Sequence, residues 1–126
     1  MSYAERHIVD VQTDADGNAI EYTPTVSGRI INVIYTKPGS SPYSAGVDFT
    51  ITLNKTGQNV WTEDSVDASK TVAPRQPTHD TAGAALLYLT GEEPVEDYIV
   101  AAKDRIKIAI ANGGDTLDGQ FIIIMG

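Results

Sequence analysis

The sequence predicts an all-β domain, a jelly-roll-like antiparallel β-sandwich of about eight strands with one long loop or arm. Three observations carry this expectation. Apolar and polar residues alternate most clearly where Val47, Phe49, Ile51 and Leu53 are interleaved with Asp48, Thr50, Thr52 and Asn54, the period-two pattern of a strand with one wet face. Segments rich in Ile, Val, Thr and Tyr recur between clusters of Gly, Pro, Asn and Asp, the punctuation of sandwiches and barrels. The stretch from Arg105 to Met125 reads as a closing hairpin. Ile106, Ile108 and Ile110 face one way, and Asn112, Gly113 and Gly114 supply residues that tolerate positive φ before Gln120 to Met125.

The remaining elements follow in order. His7 to Gln12 is the first strand, and the turn residues Asp14 to Asn18 follow it. Ala19 to Thr23 is a short second strand that Pro24 stops. Arg29 to Thr36 is long and β-branched; Pro38 and Pro42 end it by removing backbone donors. After the alternating strand, Lys55 to Asn59 turns the chain into the short apolar segment Val60 to Thr62. Glu63 to Thr81 is polar, contains Pro74 and Pro77, and shows no sustained period. It reads as a long loop with one helical turn near Val66 to Lys70, and a loop of that length in a compact domain is commonly functional. Ala82 to Leu89 fits either helix or strand. The opposed pairs Leu86, Tyr88 and Leu87, Leu89 favour a buried strand. Val95 to Ala101 is the strand before the closing pair.

Length and composition restrict the function classes. The chain has 126 residues, 41% of them hydrophobic, enough for a single domain (1–126) burying roughly two-thirds of its extended surface. Its longest apolar runs, Ala82 to Leu89 and Phe121 to Met125, fall well short of the roughly 20 residues that span a bilayer. The first residues lack the basic and apolar regions of a secretory signal. Without cysteine there is no disulfide, thiolate or Cys-type zinc chemistry, which fits synthesis in a reducing cytoplasm. Acidic residues outnumber basic ones 17 to 9, for a net charge of −8, and nucleic-acid binding requires the opposite balance. The local concentration of Lys103, Arg105 and Lys107 is assigned to the outer face of a strand.

His79 and Asp80 are the one adjacent histidine–carboxylate pair. No nucleophile elbow accompanies them, so the pair reads as a local tie for the Pro77 loop, and His7 reads as a surface residue. Asp14 to Asn18 places oxygen-bearing residues around a glycine, as calcium loops do. The twelfth position from Asp14 is Thr25 rather than the bidentate Glu such a loop needs. Glu92, Glu93, Glu96 and Asp97 read as a solvated acidic turn or a contact for a basic partner. Trp61 reads as a core or interface anchor; together with Asn59 and Asp64 it is also the one candidate for stacking a sugar. No enzyme, cofactor or metal site is expected.

Four stretches carry a resemblance: Ser27 to Tyr35, Gly46 to Thr52, Pro74 to Gly83 and Asp104 to Gly114. They look like a family of small tailed-bacteriophage virion proteins, and in particular resemble the jelly-roll cement (decoration) proteins of short-tailed phages. The resemblance implies a protein on the outer surface of the capsid, made in the host bacterial cytoplasm. It would act as a homotrimer that clamps neighbouring copies of the major capsid protein. It implies no nucleic-acid, membrane or small-molecule partner. The Glu63 to Thr81 arm, with Glu63, Asp64, Arg75, His79 and Asp80, is then the expected partner-contact segment. Two alternatives stand beside this one: another virion component at the head–tail junction, tail or fibre, and a carbohydrate-binding sandwich.

Overall fold

The computed structural model describes residues 4–89 and 93–126. Among these, the chain forms strands β1 (Glu5–Gln12), β2 (Ala19–Tyr22), β3 (Val26–Thr36), β4 (Asp48–Leu53) and β5 (Asn59–Glu63), then β6 (Lys70–Val72), β7 (Arg75–Pro77), β8 (Glu96–Asp104), β9 (Ile106–Ala111) and β10 (Asp118–Met125). One sheet runs β1-β10-β3-β8-β7, with β6 also on β3; the other runs β2-β9-β4-β5.

The antiparallel pairings are nested: β1 with β10, β2 with β9, β3 with β8, and β4 with β5. A nested ladder of this kind, folded over so that alternate pairs fall in opposite sheets, is a jelly roll. The expected fold class is therefore present, with β6 and β7 as short additions. β6 occupies the flank of β3 at Val33 to Tyr35, and β8 occupies the same flank at Val26 to Ile30.

Alternation, broken by a bulge at Val60 in β5, decides which side chains meet between the sheets. Val9, Val11, Ile30, Val33, Tyr35, Ile99, Phe121, Ile123 and Met125 point inward from one sheet. Phe49, Ile51, Leu53, Val60, Trp61, Ile106, Ile108 and Ile110 point inward from the other. Phe49 sits at the centre of an aromatic cluster. Its ring lies 4.8 Å from Tyr35, 5.0 Å from Phe121, 5.4 Å from Trp61 and 6.1 Å from Tyr43, each edge to face. Tyr43 is buried, and its hydroxyl donates to the Val11 carbonyl at 2.6 Å. Burial holds the phenol pKa well above its ordinary value.

Several expectations are corrected. The ending is not a hairpin: β9 pairs with β2 and β4, while β10 pairs with β1 and β3. The 112–117 loop crosses from one sheet to the other. It is tied across the sandwich end by Gly113 N–H to the Gly17 carbonyl (2.9 Å), Ser44 N–H to the Gly113 carbonyl (3.0 Å) and the Thr13 hydroxyl to the Gly114 carbonyl (2.6 Å). No helical turn forms at Val66 to Lys70. Val66 is instead buried, its N–H donating to the Val47 carbonyl at 2.9 Å, and an extended backbone reaches that partner. The polar stretch after Trp61 contributes the last residues of β5 and all of β6 and β7. Ala82 to Leu89 is not a buried strand. It lies exposed beyond the sandwich and joins neighbouring segments through isolated bridges, His79 to Ala85 and Leu87 to Pro94.

One close approach is testable. At Gly119 an added Cβ would fall within 2.7 Å of Tyr43 Cζ, a rigid neighbour pinned by its own hydrogen bond. Gly119→Ala should lose about 1–3 kcal/mol, the usual cost of overpacking. Gly39→Ala, with nothing within 4 Å of the new Cβ, should stay within about 0.5 kcal/mol of the parent. Denaturant midpoints of the two variants against the parent measure both.

Candidate contact surface

The residues expected to form a partner-contact arm do not form one cluster. Glu63 closes β5 and pairs with Lys70 of β6, the ammonium within 2.7 Å of both carboxylate oxygens. That hydrogen bond holds the Glu63 carboxyl below its ordinary pKa against a smaller opposing effect of burial, and the Trp61 indole N–H adds to the lowering at 3.3 Å. Asp64 is exposed in the following bend. Arg75 lies half-buried on β7, where its guanidinium donates to the Ile31 carbonyl (3.1 Å) and the Pro74 carbonyl (2.7 Å). It also stacks on the Tyr98 ring at 4.2 Å, and Arg29 approaches the same ring at 4.9 Å. These contacts give Arg75 a structural role at the sheet edge.

His79 and Asp80 stand further out, at the base of a short meander that continues to Val95. The Asp80 carboxylate accepts from the Ala82 and Ala84 amides at 2.8 and 3.0 Å, an Asx-type tie that shapes the turn. Gly83 completes the turn with a φ of 84°, a backbone conformation that costs glycine little. The sequence reading of this pair as a local tie agrees with the bonds to Asp80, while the His79 side chain is exposed.

The arm itself is a small meander. Leu86 N–H donates to the Thr78 carbonyl at 2.9 Å, Thr78 N–H to the Val95 carbonyl at 2.7 Å, and Val95 N–H to the Leu86 carbonyl at 2.8 Å. This network links three passes of chain beyond the β7–β8 edge. Of the acidic residues expected near it, Glu93, Glu96 and Asp97 are exposed, whereas Glu92 lies outside the described residues. The middle pass carries large apolar side chains into solvent: Leu86 is 44% exposed, Leu87 40%, Tyr88 68% and Leu89 65%. Val100, on the outer face of β8, adds another at 53%. Scattered apolar residues are normal on a surface; these four are consecutive in the chain. In the sequence a run of four apolar residues fits a fully buried strand, so its spacing gives no signal of this exposure.

Trp61 is buried against Phe49, so it serves the core and cannot stack a sugar with Asn59 and Asp64. On the outer face of the first sheet, a groove of about 360 Å³ is lined by Asp10, Gln12, Thr36, Pro38, Asp118 and Gln120. There the Gln120 amide donates to the Asp10 carboxylate at 3.1 Å.

No protein-family model matches the chain, and no curated protein matches it in sequence. Among solved structures, one described as the crystal structure of FLHE is similar over 98% of both chains, at 12% identity and a TM-score of 0.46. A likeness at that level carries no functional argument.

If the arm is external to the core, polar substitutions at its tip leave folding intact. Leu87→Ser and Tyr88→Ser should each unfold within about 0.5 kcal/mol of the parent. Ile123→Ala, in the packed interior, should lose about 2–5 kcal/mol. Equilibrium denaturation of the three variants provides the comparison.

Proposed function

We propose that this chain is a bacteriophage capsid cement protein, a jelly-roll module that binds the outside of the head and holds neighbouring major capsid subunits together. The observation that carries the reading is the exposed apolar run Leu86, Leu87, Tyr88 and Leu89, held on a hydrogen-bonded arm beyond the sheet edge. Burying such side chains against a protein partner gains the hydrophobic free energy that folding has not used. An ordered arm also loses less conformational entropy on binding than a disordered one would. The sandwich behind it needs no cysteine pairing to hold the arm in place.

The resemblance of Ser27 to Tyr35, Gly46 to Thr52, Pro74 to Gly83 and Asp104 to Gly114 to phage decoration proteins supplies the partner: the major capsid protein, met by a homotrimer. Pro74 to Gly83 leads directly into the apolar run, so the resembling segment and the exposed surface are contiguous. Placement elsewhere in the virion is the competing reading, and the same experiment separates the two.

Particles assembled without this chain, then incubated with it and imaged, should carry its density on the outer head surface. Leu87→Asp/Tyr88→Asp should bind at least about tenfold more weakly, equivalent to about 1.4 kcal/mol. Density confined to the tail, or undiminished binding by the double variant, would contradict the proposal.

A further inference from the structure

The charge of this acidic chain is segregated along the sandwich. The loops at one end contain Asp14, Asp16, Asp64, Asp67 and Asp115, with Asp48 and Asp118 at the adjoining strand ends. The cations that accompany them are neutralised, Lys37 by Asp67 at 3.1 Å and Lys70 by Glu63 at 2.7 Å.

The opposite end holds more cations than carboxylates. The β2–β3, β4–β5 and β8–β9 connections bring Lys55 and Arg105 there, beside Lys103 at the end of β8 and Lys107 near the start of β9. Glu5, at the start of β1, lies at the same end, 3.3 Å from the His7 imidazole. Backbone contacts fix the cluster: Asn54 N–H donates to the Arg105 carbonyl at 2.9 Å, the Lys55 ammonium to the Lys103 carbonyl at 3.1 Å, and Lys103 N–H to the Ser27 hydroxyl at 2.9 Å. The carboxylate closest in the chain, Asp104, is buried at 3% exposure. It accepts the Lys55 amide at 2.9 and 3.0 Å and the Arg105 amide at 2.7 Å. Among the described residues, no carboxylate forms an ion pair with any of the four side-chain cations.

The surroundings of the cluster are partly apolar. Arg105 stacks on the Tyr22 ring at 4.1 Å, and Tyr22 lies opposite Lys107 in the β2–β9 ladder, on the outer face of that sheet. Ile20, two residues earlier and on the same outer face, is 55% exposed. Glu21, between them, alternates to the other face of β2.

We infer that the end of the sandwich carrying Lys55, Lys103, Arg105 and Lys107 docks a carboxylate-rich face of a partner protein. Four unpaired cations on a chain of net charge −8 form a local field that attracts a compact acidic surface and orients it before contact. Tyr22 and Ile20 supply the apolar component typical of a protein interface, and Arg105 suits bidentate capture of carboxylates. A nucleic acid fits the site less well. Its phosphates continue past the patch toward the acidic remainder of the chain, and Arg105 already covers one face of the ring a base would stack on. The inference does not depend on the virion reading, and its test uses no particle.

The probes are a fluorescently labelled decaglutamate peptide and an oligothymidylate of equal length, titrated with the intact chain at low ionic strength. The peptide should bind more tightly than the oligonucleotide and weaken as salt is added. Arg105→Glu/Lys107→Glu should weaken peptide binding about tenfold or more, whereas Lys37→Glu/Lys70→Glu, with the same change in net charge, should stay within about twofold. The milder pair Lys103→Gln/Lys107→Gln should weaken it to an intermediate degree, and this serves if the reversal disturbs folding. Absence of peptide binding, equal loss in both reversal pairs, or tighter binding of the oligonucleotide would overturn the inference.

Discussion

The Phe49 ring is the contact on which the two sheets close. It projects from β4 into a space bounded by Tyr35 of β3, Phe121 of β10, Trp61 of β5 and Tyr43 from the loop before β4. Both sheets and one end of the sandwich therefore share a single packed cluster. Tyr43 extends the constraint further. Its ring requires the bare backbone of Gly119, and its hydroxyl is satisfied by the Val11 carbonyl. Movement of any one of these groups would open a void or leave a buried polar atom without a partner, and each is costly. The nested strand order needs such a tie, because its pairings join residues far apart in the chain and close only once both ends are in place.

A rigid frame of this kind separates folding from contact. The interior is filled by alternating side chains, so the outer faces and the connections are free to vary in character. Two of them do. The arm beyond the β7–β8 edge exposes an apolar run, and the end formed by the β2–β3, β4–β5 and β8–β9 connections gathers cations that no carboxylate among the described residues neutralises. On the proposed reading, the first surface would supply affinity through burial and the second would supply orientation through charge. The two differ in sensitivity to salt, since screening weakens exposed charge pairs and leaves apolar burial largely intact.

Alternation made most of the frame legible. Val47 to Leu53 and Ile106 to Ile110 have the faces expected of them, and Lys107 lies on the outside of its sheet as alternation requires. Lys103, Arg105 and Lys107 do not share the outer face of one strand: Lys103 belongs to β8, Arg105 to the one-residue connection and Lys107 to β9, because the chain changes sheet between them. Asn112-Gly113-Gly114 is compatible with a hairpin locally. Only partners on distant loops, at Gly17, Ser44 and Thr13, make it a crossing between sheets. β6 and β7 span three residues each, too short to establish a period. At Ala82 to Leu89 periodicity reports spacing and carries no information about which surface covers the side chains. The basic end was legible only in part. Lys103, Arg105 and Lys107 are neighbours in sequence, whereas Lys55 joins them through the β4–β5 turn.

The central claim is that a rigid sandwich presents an arm that remains available for a partner. Amide hydrogen exchange measured on the free chain and on the chain bound to particles tests it most directly. The claim predicts slow exchange along β3, β4, β9 and β10 in both states, with Leu86 to Leu89 exchanging faster than those strands in the free chain and slowing on binding. Arm amides as slow as those of the central strands in the free chain, unchanged on the particle, would contradict it.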